Sequence, residues 1–161
     1  MTTEEITPHC RPTAYGVGVK QTTLFGGIAR QKATLTPKER YEKWDSEFHF
    51  DFDPCPYPRP RGFDGLKVPW GNSNYVNPPF SAGESLVQWV NKALAEHSLG
   101  KTVVMVLPVY YAPAKMIANR AVVRPIDDCR VWETPEGKKA RIAVETALFI
   151  LNGEARRIEP R

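Results

Sequence analysis

A rigid four-residue corner, Asn77-Pro78-Pro79-Phe80, constrains the fold of this chain more than any other stretch. Each proline fixes its own φ and removes a backbone N–H, so no helix or central strand can run through the corner. Asn77 and Pro78 each precede a proline, which restricts both to extended geometry. Residues 74–76 form a short strand-like stretch before the corner, and a helical pattern follows it. The sequence therefore predicts a stiff loop at the carboxyl end of a strand.

The corner also carries groups that suit a planar ligand. Its backbone carbonyls are not consumed by a helix and can accept hydrogen bonds, and the Asn77 side chain adds an amide acceptor. Phe80 supplies a flat ring for stacking. An exocyclic amino group on a planar base requires acceptors in its plane and a ring against its face. A rigid turn with no ligand is the alternative, but the preceding strand and the following helix favour a binding site.

A helix is predicted from residue 36 onward. Thr36 suits the N-cap, Pro37 suits the first helical position, and Glu39 completes a capping box. An apolar stripe follows at spacings of three and four, formed by Tyr41, Trp44 and Phe48. The period then changes to two, which predicts a strand over residues 48–52. Prolines from position 54 onward end that strand, and residues 55–70 are predicted to be loop.

A strand–helix–strand unit is predicted between residues 74 and 107. Ser85 begins its helix with Gln88 at the capping-box position, and Gly100 ends it. Residues 102–107 are almost wholly apolar, which is typical of a central strand covered on both faces. The unit should therefore be parallel with a right-handed crossover. Further along, we expect a short helix over residues 112–122 and an antiparallel hairpin that pairs 130–133 with 142–151 across a turn at 134–137.

Composition sets limits on the class of protein. The 161 residues suit one domain with a sizeable core. Three scattered cysteines and three scattered histidines fit neither a disulfide framework nor a metal site. No apolar run is long enough for a membrane span, and the first ten residues lack the apolar core of a signal peptide. We therefore expect a cytoplasmic protein with no membrane partner. The net charge of +4 is compatible with nucleic acid without being specific for it.

Segments on both sides of the corner extend this pattern into a family resemblance. The corner matches the (Asp/Asn/Ser)-Pro-Pro-aromatic motif of amino-group methyltransferases that use S-adenosylmethionine. The flanking segments come in the expected order, namely Thr36-Pro37, residues 48–55, Trp70-Gly71 and an apolar run that closes in Leu107-Pro108. Residues 34–151 thus resemble the phage-type DNA N6-adenine methyltransferases, the phage Dam family. For a phage-encoded protein the location would be the cytoplasm of the host cell.

The resemblance implies an α/β fold of a particular kind. This is a compact, trimmed Rossmann-like class I methyltransferase fold with a C-terminal antiparallel hairpin. Only a proline-rich loop and one short strand separate Asp53 from Asn77, so one strand–helix pair of the full fold is expected to be missing. We expect an irregular N-terminal arm over residues 1–33, a methyltransferase domain over 34–152, and a basic C-terminal tail over 153–161.

The resemblance also assigns roles within the site. The Asn77 side chain and the Pro78 carbonyl would accept the hydrogens of the adenine amino group, Pro79 completes the catalytic corner, and Phe80 would stack on the target base. The base would first be flipped out of the duplex. S-adenosyl-L-methionine would be bound by residues from two segments, Thr36 and Pro37 in the first and Asp51, Asp53, Pro54 and Cys55 in the second. Substrate contacts are expected from Trp70, Phe80, Arg59 and Arg61.

Several of these residues also have a plain structural interpretation. Thr36 suits a simple N-cap, and Asp51 suits a polar position on an edge strand. Trp70 suits a buried anchor of the proline-rich loop, and Cys55 suits a packed thiol. Arg59, together with the other clustered basic residues, suits a solvated loop. For these positions the sequence leaves both interpretations open.

Departures from the family pattern keep other functions open. No glycine-rich loop follows Cys55, and Val109 stands where related proteins carry an arginine. The same corner would also serve methylation of RNA adenine or of a protein glutamine. A catalytically silent methyltransferase-like subunit that binds nucleic acid is a further alternative. Double-stranded DNA is the expected partner, with a homodimer or a partner subunit as a second. No separate target-recognition domain is visible, so recognition would fall to loop 55–72, the N-terminal arm or a second subunit.

Overall fold

The computed structural model describes residues 34–80, 84–110 and 113–153. The predicted N-terminal arm and nearly all of the predicted basic tail lie outside these residues. The described elements are α1 (Lys38–Phe48), β1 (Ser73–Val76), α2 (Glu84–Ser98), β2 (Thr102–Pro108), α3 (Pro113–Ala118), β3 (Val122–Pro125), β4 (Val131–Glu133), β5 (Lys139–Arg141) and β6 (Thr146–Leu151). The mixed α/β class predicted from the sequence is confirmed.

The main sheet has the strand order β1-β2-β6-β3. β1 and β2 pair in parallel, with Ser73 opposite Thr102 and Val76 opposite Met105, so the predicted strand–helix–strand unit is confirmed. β6 runs antiparallel to both β2 and β3. On the other side of β1, Phe52 forms a parallel bridge with Asn74, so residues 50–53 extend the sheet by one short segment. The sheet is therefore mixed, with three parallel members at one side.

α2 and α3 cover one face of this sheet, and α1 and the β4–β5 hairpin cover the other. Alternate residues of β2 point to opposite faces. Val103, Met105 and Leu107 pack with Trp89 and other residues of α2. On the other face, the core is formed by Val104, Val106, Tyr41, Trp44, Tyr75 and Trp132. This three-layer arrangement explains why β2 is buried along almost its whole length and reads as a continuous apolar run.

The predicted strand over residues 48–52 is wrong at its start. α1 continues through Phe48, and His49 ends it in the left-handed region with φ of 51°. The Asp45 carbonyl accepts the His49 N–H at 2.7 Å, and the Asp45 carboxylate accepts the Phe50 N–H at 2.8 Å. Phe48 then stacks on Phe50, with ring centroids 5.8 Å apart. The aromatic alternation thus reflects a helix end that folds back, and only residue 52 forms a sheet bridge.

The prediction of which strand pairs with residues 130–133 in the C-terminal hairpin is also wrong. β4 pairs with β5, and Glu133 lies opposite Lys139. The turn at 134–137 is tight, because Thr134 N–H donates to the Lys138 carbonyl at 2.8 Å and Gly137 takes a φ of 75°. Residues 146–151 are buried throughout, so they enter the main sheet as β6 instead of joining an exposed hairpin. The antiparallel hairpin exists, but it precedes the last strand.

Two helix predictions need smaller corrections. α2 begins at Glu84, so Ser85 lies within its first turn and is not the N-cap. The helix predicted within 112–122 is shorter, because β3 begins at Val122. Gly100 ends α2 with a φ of 88°, as its position predicts. Within the three described ranges, no helix is long and apolar enough to cross a membrane.

Candidate active site at the carboxyl edge of the sheet

Three parallel members of the sheet end at the same edge. Residues 50–53, β1 and β2 run in one direction, so Asp53, Asn77 and Val109 follow the carboxyl ends of neighbouring segments. We call this side of the sheet the carboxyl edge. Ligands of open α/β sheets bind at the carboxyl ends of their strands. The corner at residues 77–80 therefore lies where a ligand site is expected.

Thr36 reaches this edge through its side chain. Its prediction as an N-cap is wrong, because Pro37 occupies the cap position and no side chain caps α1. Thr36 is instead fully buried, and its hydroxyl accepts a hydrogen bond from Asn77 Nδ2 at 3.2 Å. The same hydroxyl forms a hydrogen bond with the Tyr75 hydroxyl. The structure thus joins the predicted Thr36-Pro37 segment to the corner at residues 77–80 by direct contact.

Asn77 is the most informative side chain at the edge. It is buried, with 1% of its surface exposed. Its Nδ2 donates to Thr36, but its Oδ1 accepts no hydrogen bond from any residue in the described parts of the chain. A buried polar atom without a partner costs about 1–3 kcal/mol. Such an atom in a rigid loop is a natural acceptor for a ligand hydrogen.

The rest of the corner differs in exposure. Pro78 is buried, whereas Pro79 and Phe80 are half-buried. The Phe80 ring packs against the core on both sides of the sheet. The packing holds the ring near Asn77 and leaves part of it accessible. The predicted stacking role of Phe80 is compatible with this position.

Asp53 supplies a buried carboxyl group to the same region. It is 3% exposed, and its Oδ1 accepts the Cys55 N–H at 2.7 Å. Burial raises the pKa of Asp53 to about 7, and the hydrogen bond from Cys55 opposes that rise only in part. Among the described residues, this N–H is the one group found to stabilise the charged form of Asp53. The described residues therefore offset little of the energetic cost of burying a negative charge on Asp53.

Asp51 lies at the other end of β1. It is exposed, and its two carboxylate oxygens accept the backbone N–H groups of Asn72 and Ser73, each at 3.0 Å. A Cβ added to Gly71 would lie 2.1 Å from Asp51 Oδ1, which explains why a glycine follows Trp70. Asp51 thus holds the start of β1, and the structure does not bring it to Asn77. This arrangement matches its structural interpretation.

Pro54 and Cys55 are both buried beside Asp53. The loop returns so closely that a Cβ on Gly65 would lie 2.0 Å from the Pro54 carbonyl oxygen. Burial raises the pKa of the Cys55 thiol well above its usual value, so the thiol stays protonated. The backbone N–H of Cys55 donates to the Asp53 carboxylate, while the Cys55 side chain packs in the hydrophobic core. This placement favours the packed-thiol interpretation.

The predicted substrate residues fall into two groups. Trp70 is buried, its indole N–H donates to the Gly65 carbonyl at 2.7 Å, and its ring stacks on Trp89. These contacts are those of an anchor for the proline-rich loop. Arg59 and Arg61 lie exposed on that loop. Among the described residues, none of these three side chains hydrogen-bonds to the Asn77 side chain, whose one partner is Thr36.

Tyr75 is the site residue that the sequence analysis missed. It is fully buried, and burial raises the pKa of its hydroxyl more than the hydrogen bond with Thr36 lowers it. The hydroxyl is therefore protonated. The spacing between Tyr75 and Asn77 could have predicted that the two side chains lie together, because residues two apart in a strand point to the same face. Within the described residues, no group of three or more His, Cys, Asp or Glu side chains is arranged to hold a metal ion.

Comparisons with known proteins add no family assignment. No protein-family profile matches the sequence, and no curated protein matches it.

Proposed function

We propose that this protein transfers a methyl group from S-adenosylmethionine to the N6 amino group of adenine in DNA, on a trimmed Rossmann-like fold of the class I methyltransferase type. The observation that carries the proposal is the buried Oδ1 of Asn77, which accepts no hydrogen bond from the described residues and lies in an Asn-Pro-Pro-Phe corner. The order of the surrounding motifs supports the same assignment. The mixed α/β sheet, with parallel members at the corner, is compatible with it.

The chemistry of adenine explains the need for this corner. The lone pair of the adenine amino nitrogen is delocalised into the ring, so the nitrogen is a poor nucleophile. Two acceptors that bind the amino hydrogens favour a more tetrahedral nitrogen with a more available lone pair. Asn77 Oδ1 and the Pro78 carbonyl would supply them, and the two prolines hold both in fixed positions. Phe80 would hold the base plane by stacking.

The residues at the edge also fit the cofactor. S-adenosylmethionine, when bound, would supply a methyl group on a positively charged sulfur, so that the N6–carbon bond forms as the sulfur–methyl bond breaks, a neutral thioether leaves and one amino hydrogen is released to solvent as a proton. Asp53 would accept hydrogen bonds from hydroxyl or amino groups of that cofactor, because its carboxyl is buried at the same edge and is poorly compensated. Much of the acceleration in such a displacement comes from holding the reacting atoms in line. The protein would contribute that alignment through the rigid corner.

Methyl transfer to nucleic acid tests the proposal directly. Purified protein is incubated with radiolabelled S-adenosylmethionine and unmethylated DNA, with RNA and a glutamine-containing peptide pool in parallel reactions. Nucleoside digestion and mass spectrometry should identify N6-methyladenine in the DNA reaction. Label in RNA or peptide alone would keep the chemistry and replace the substrate. Absence of label, together with absence of cofactor binding, would favour a silent nucleic-acid-binding subunit.

A further inference from the structure

Methylation at this corner requires the Asn77 amide to face one way. The two ends of an asparagine amide are nearly equal in size, but one is an acceptor and the other a donor. Oδ1 toward the target base would accept an amino hydrogen, whereas Nδ2 in that place would set donor against donor. A group on the side of Asn77 that faces away from the substrate, its inner side, must therefore accept a hydrogen bond from Nδ2. The structure contains such a group.

The Thr36 hydroxyl lies on that inner side and accepts from Asn77 Nδ2 at 3.2 Å. A hydroxyl alone would not determine the orientation, because it can also donate to an amide oxygen. With Asn77 Nδ2 donating to Thr36, the Thr36 hydrogen must point elsewhere, and the Tyr75 hydroxyl lies within hydrogen-bond distance to accept it. When Thr36 gives its hydrogen to Tyr75, only its lone pairs face Asn77. The amide can then pair with Thr36 only through Nδ2.

Both hydroxyl groups are fixed by rigid parts of the fold. The Tyr75 ring meets Tyr41 edge-on at 5.1 Å and lies 5.4 Å from the Phe50 ring. Thr36 follows Leu35, whose backbone exchanges two hydrogen bonds with Glu133 of β4, at 2.7 and 2.8 Å. The aromatic core therefore holds one hydroxyl and the β4–β5 hairpin holds the other. Neither can move without a shift of a packed element.

We infer that Thr36 and Tyr75 are positioning residues, whose linked hydroxyls hold the Asn77 amide with Oδ1 toward the substrate. The inference rests on the proposed function for its catalytic consequence, but the orientation of the amide is a property of the protein alone. Neither residue needs to touch the adenine. Loss of either hydroxyl should lower the rate of the chemical step without weakening the binding of DNA or cofactor.

The kinetic test uses four variants of the full chain. Thr36→Val and Tyr75→Phe should lower kcat about 10- to 100-fold, a range typical of small misplacements of reacting groups, while KM for DNA stays within about threefold. Thr36→Ser keeps the hydroxyl and should retain most of the rate. Tyr41→Phe is the matched control, because it removes a hydroxyl from the neighbouring ring of the same cluster, and its kcat should equal that of the wild type. Equal rates for wild type, Thr36→Val and Tyr75→Phe would overturn the inference while leaving the methyltransferase assignment intact.

A second measurement does not depend on activity. In protein labelled with ¹⁵N at asparagine, the side-chain hydrogens of Asn77 should exchange slowly with solvent in the wild type and in Thr36→Ser. They should exchange faster in Thr36→Val, which lacks the acceptor. Slow exchange in a protein that transfers no methyl group would support the orientation and contradict the proposed function. Equal exchange in the wild type and Thr36→Val would overturn the orientation whatever the activity.

Discussion

Two buried carboxyl groups in this molecule have opposite surroundings. Glu96 in α2 is 3% exposed, and it pairs with Lys92 Nζ at 2.5 Å and Lys101 Nζ at 2.6 Å. Asp53 at the carboxyl edge is equally buried, but among the described residues its partner is one backbone N–H, that of Cys55. Burial opposes the charge of Glu96, yet the hydrogen bonds from Lys101 and Lys92 outweigh it and hold its pKa below the usual value. The pKa of Asp53 rises to about 7.

The difference separates a carboxyl that is paired with two lysines from one whose charge the described residues compensate poorly. Lys101 Nζ also donates to the Trp70 carbonyl at 2.6 Å, so the Glu96 group ties α2 to the proline-rich loop and the start of β2. The polar atoms of that group are paired within the protein. At the carboxyl edge, Asn77 Oδ1 accepts no hydrogen bond from the described residues, and Asp53 faces no compensating cation among them. Perturbed groups of this second kind cluster at functional sites.

The largest effect on stability is expected at the paired carboxyl. Glu96→Gln would leave two lysines beside a neutral amide and should lower the free energy of unfolding by about 3 kcal/mol. This is the low end for a buried pair, because both lysine side chains reach solvent in part. Urea unfolding at pH 7 measures the change. Unchanged stability would remove the structural role given to this group.

The pH dependence of stability should have opposite signs at the two carboxyls. The folded pKa of Asp53 is raised, so its contribution is fully present below the unfolded value of 3.8 and is lost as pH rises through about 7. Relative to Asp53→Asn, the wild type should therefore lose about 2 kcal/mol between pH 5 and pH 8. Glu96 has a lowered pKa, so its contribution is present above its unfolded pKa and is lost as pH falls through the folded value. Parallel unfolding curves for wild type and Asp53→Asn would contradict the burial of a titrating Asp53.

The two aspartates of the second predicted segment should differ in cofactor binding. Asp53→Ala should weaken S-adenosylmethionine binding about tenfold or more, because a hydrogen bond to a charged group contributes about 1.5–3 kcal/mol. Asp51→Asn is the control, since Asp51 is engaged by the backbone at the start of β1. Its affinity for the cofactor should match that of the wild type. Isothermal titration at pH 8 measures both, and equal affinities for wild type and Asp53→Ala would move the cofactor site elsewhere.

The smallest effect is expected at an exposed ion pair. Arg124 contacts Glu47 through two hydrogen bonds of 2.6 and 2.7 Å, and it covers the Phe48 ring. Both side chains are more than two-fifths exposed, so solvent screens the pair. Glu47→Gln should lower the free energy of unfolding by about 0.5 kcal/mol or less. Urea unfolding would show this, and a loss comparable to that of Glu96→Gln would break the distinction between buried and exposed pairs.

The sequence predicted best those elements that local patterns determine. The parallel strand–helix–strand unit was predicted correctly from the apolar run of β2, the amphipathic pattern of α2 and Gly100 at its end. These patterns are clear because one face of α2 and both faces of β2 are buried. The hairpin partner was mispredicted, because a tight turn set by Gly137 selects the near strand over the more apolar one. The strand start at residue 48 was mispredicted, because Asp45 caps α1 with both its carbonyl and its carboxylate.

Contacts between distant parts of the chain were beyond prediction. The local pattern of Thr36 is that of an N-cap, and its actual partners lie 39 and 41 residues further along the chain. The corner at residues 77–80 was found because its geometry is encoded in consecutive residues. Tyr75 was missed because a tyrosine in a strand is usually core, and nothing local shows that its hydroxyl meets Thr36. The sequence therefore predicts the candidate site but not the hydrogen bonds that join Thr36, Tyr75 and Asn77.

Single-turnover methylation by Asn77→Ala tests the assignment of the site most directly. Wild type and variant are mixed with saturating S-adenosylmethionine and unmethylated DNA, and the formation of N6-methyladenine is followed by mass spectrometry. The loss of one preorganised hydrogen-bonding group at the reacting atom should slow the step about 10²- to 10³-fold. The variant should stay folded but lose about 1 kcal/mol of unfolding free energy, because the hydrogen bond from Asn77 Nδ2 to Thr36 is removed. Equal rates for the two proteins would contradict the placement of the active site at this corner.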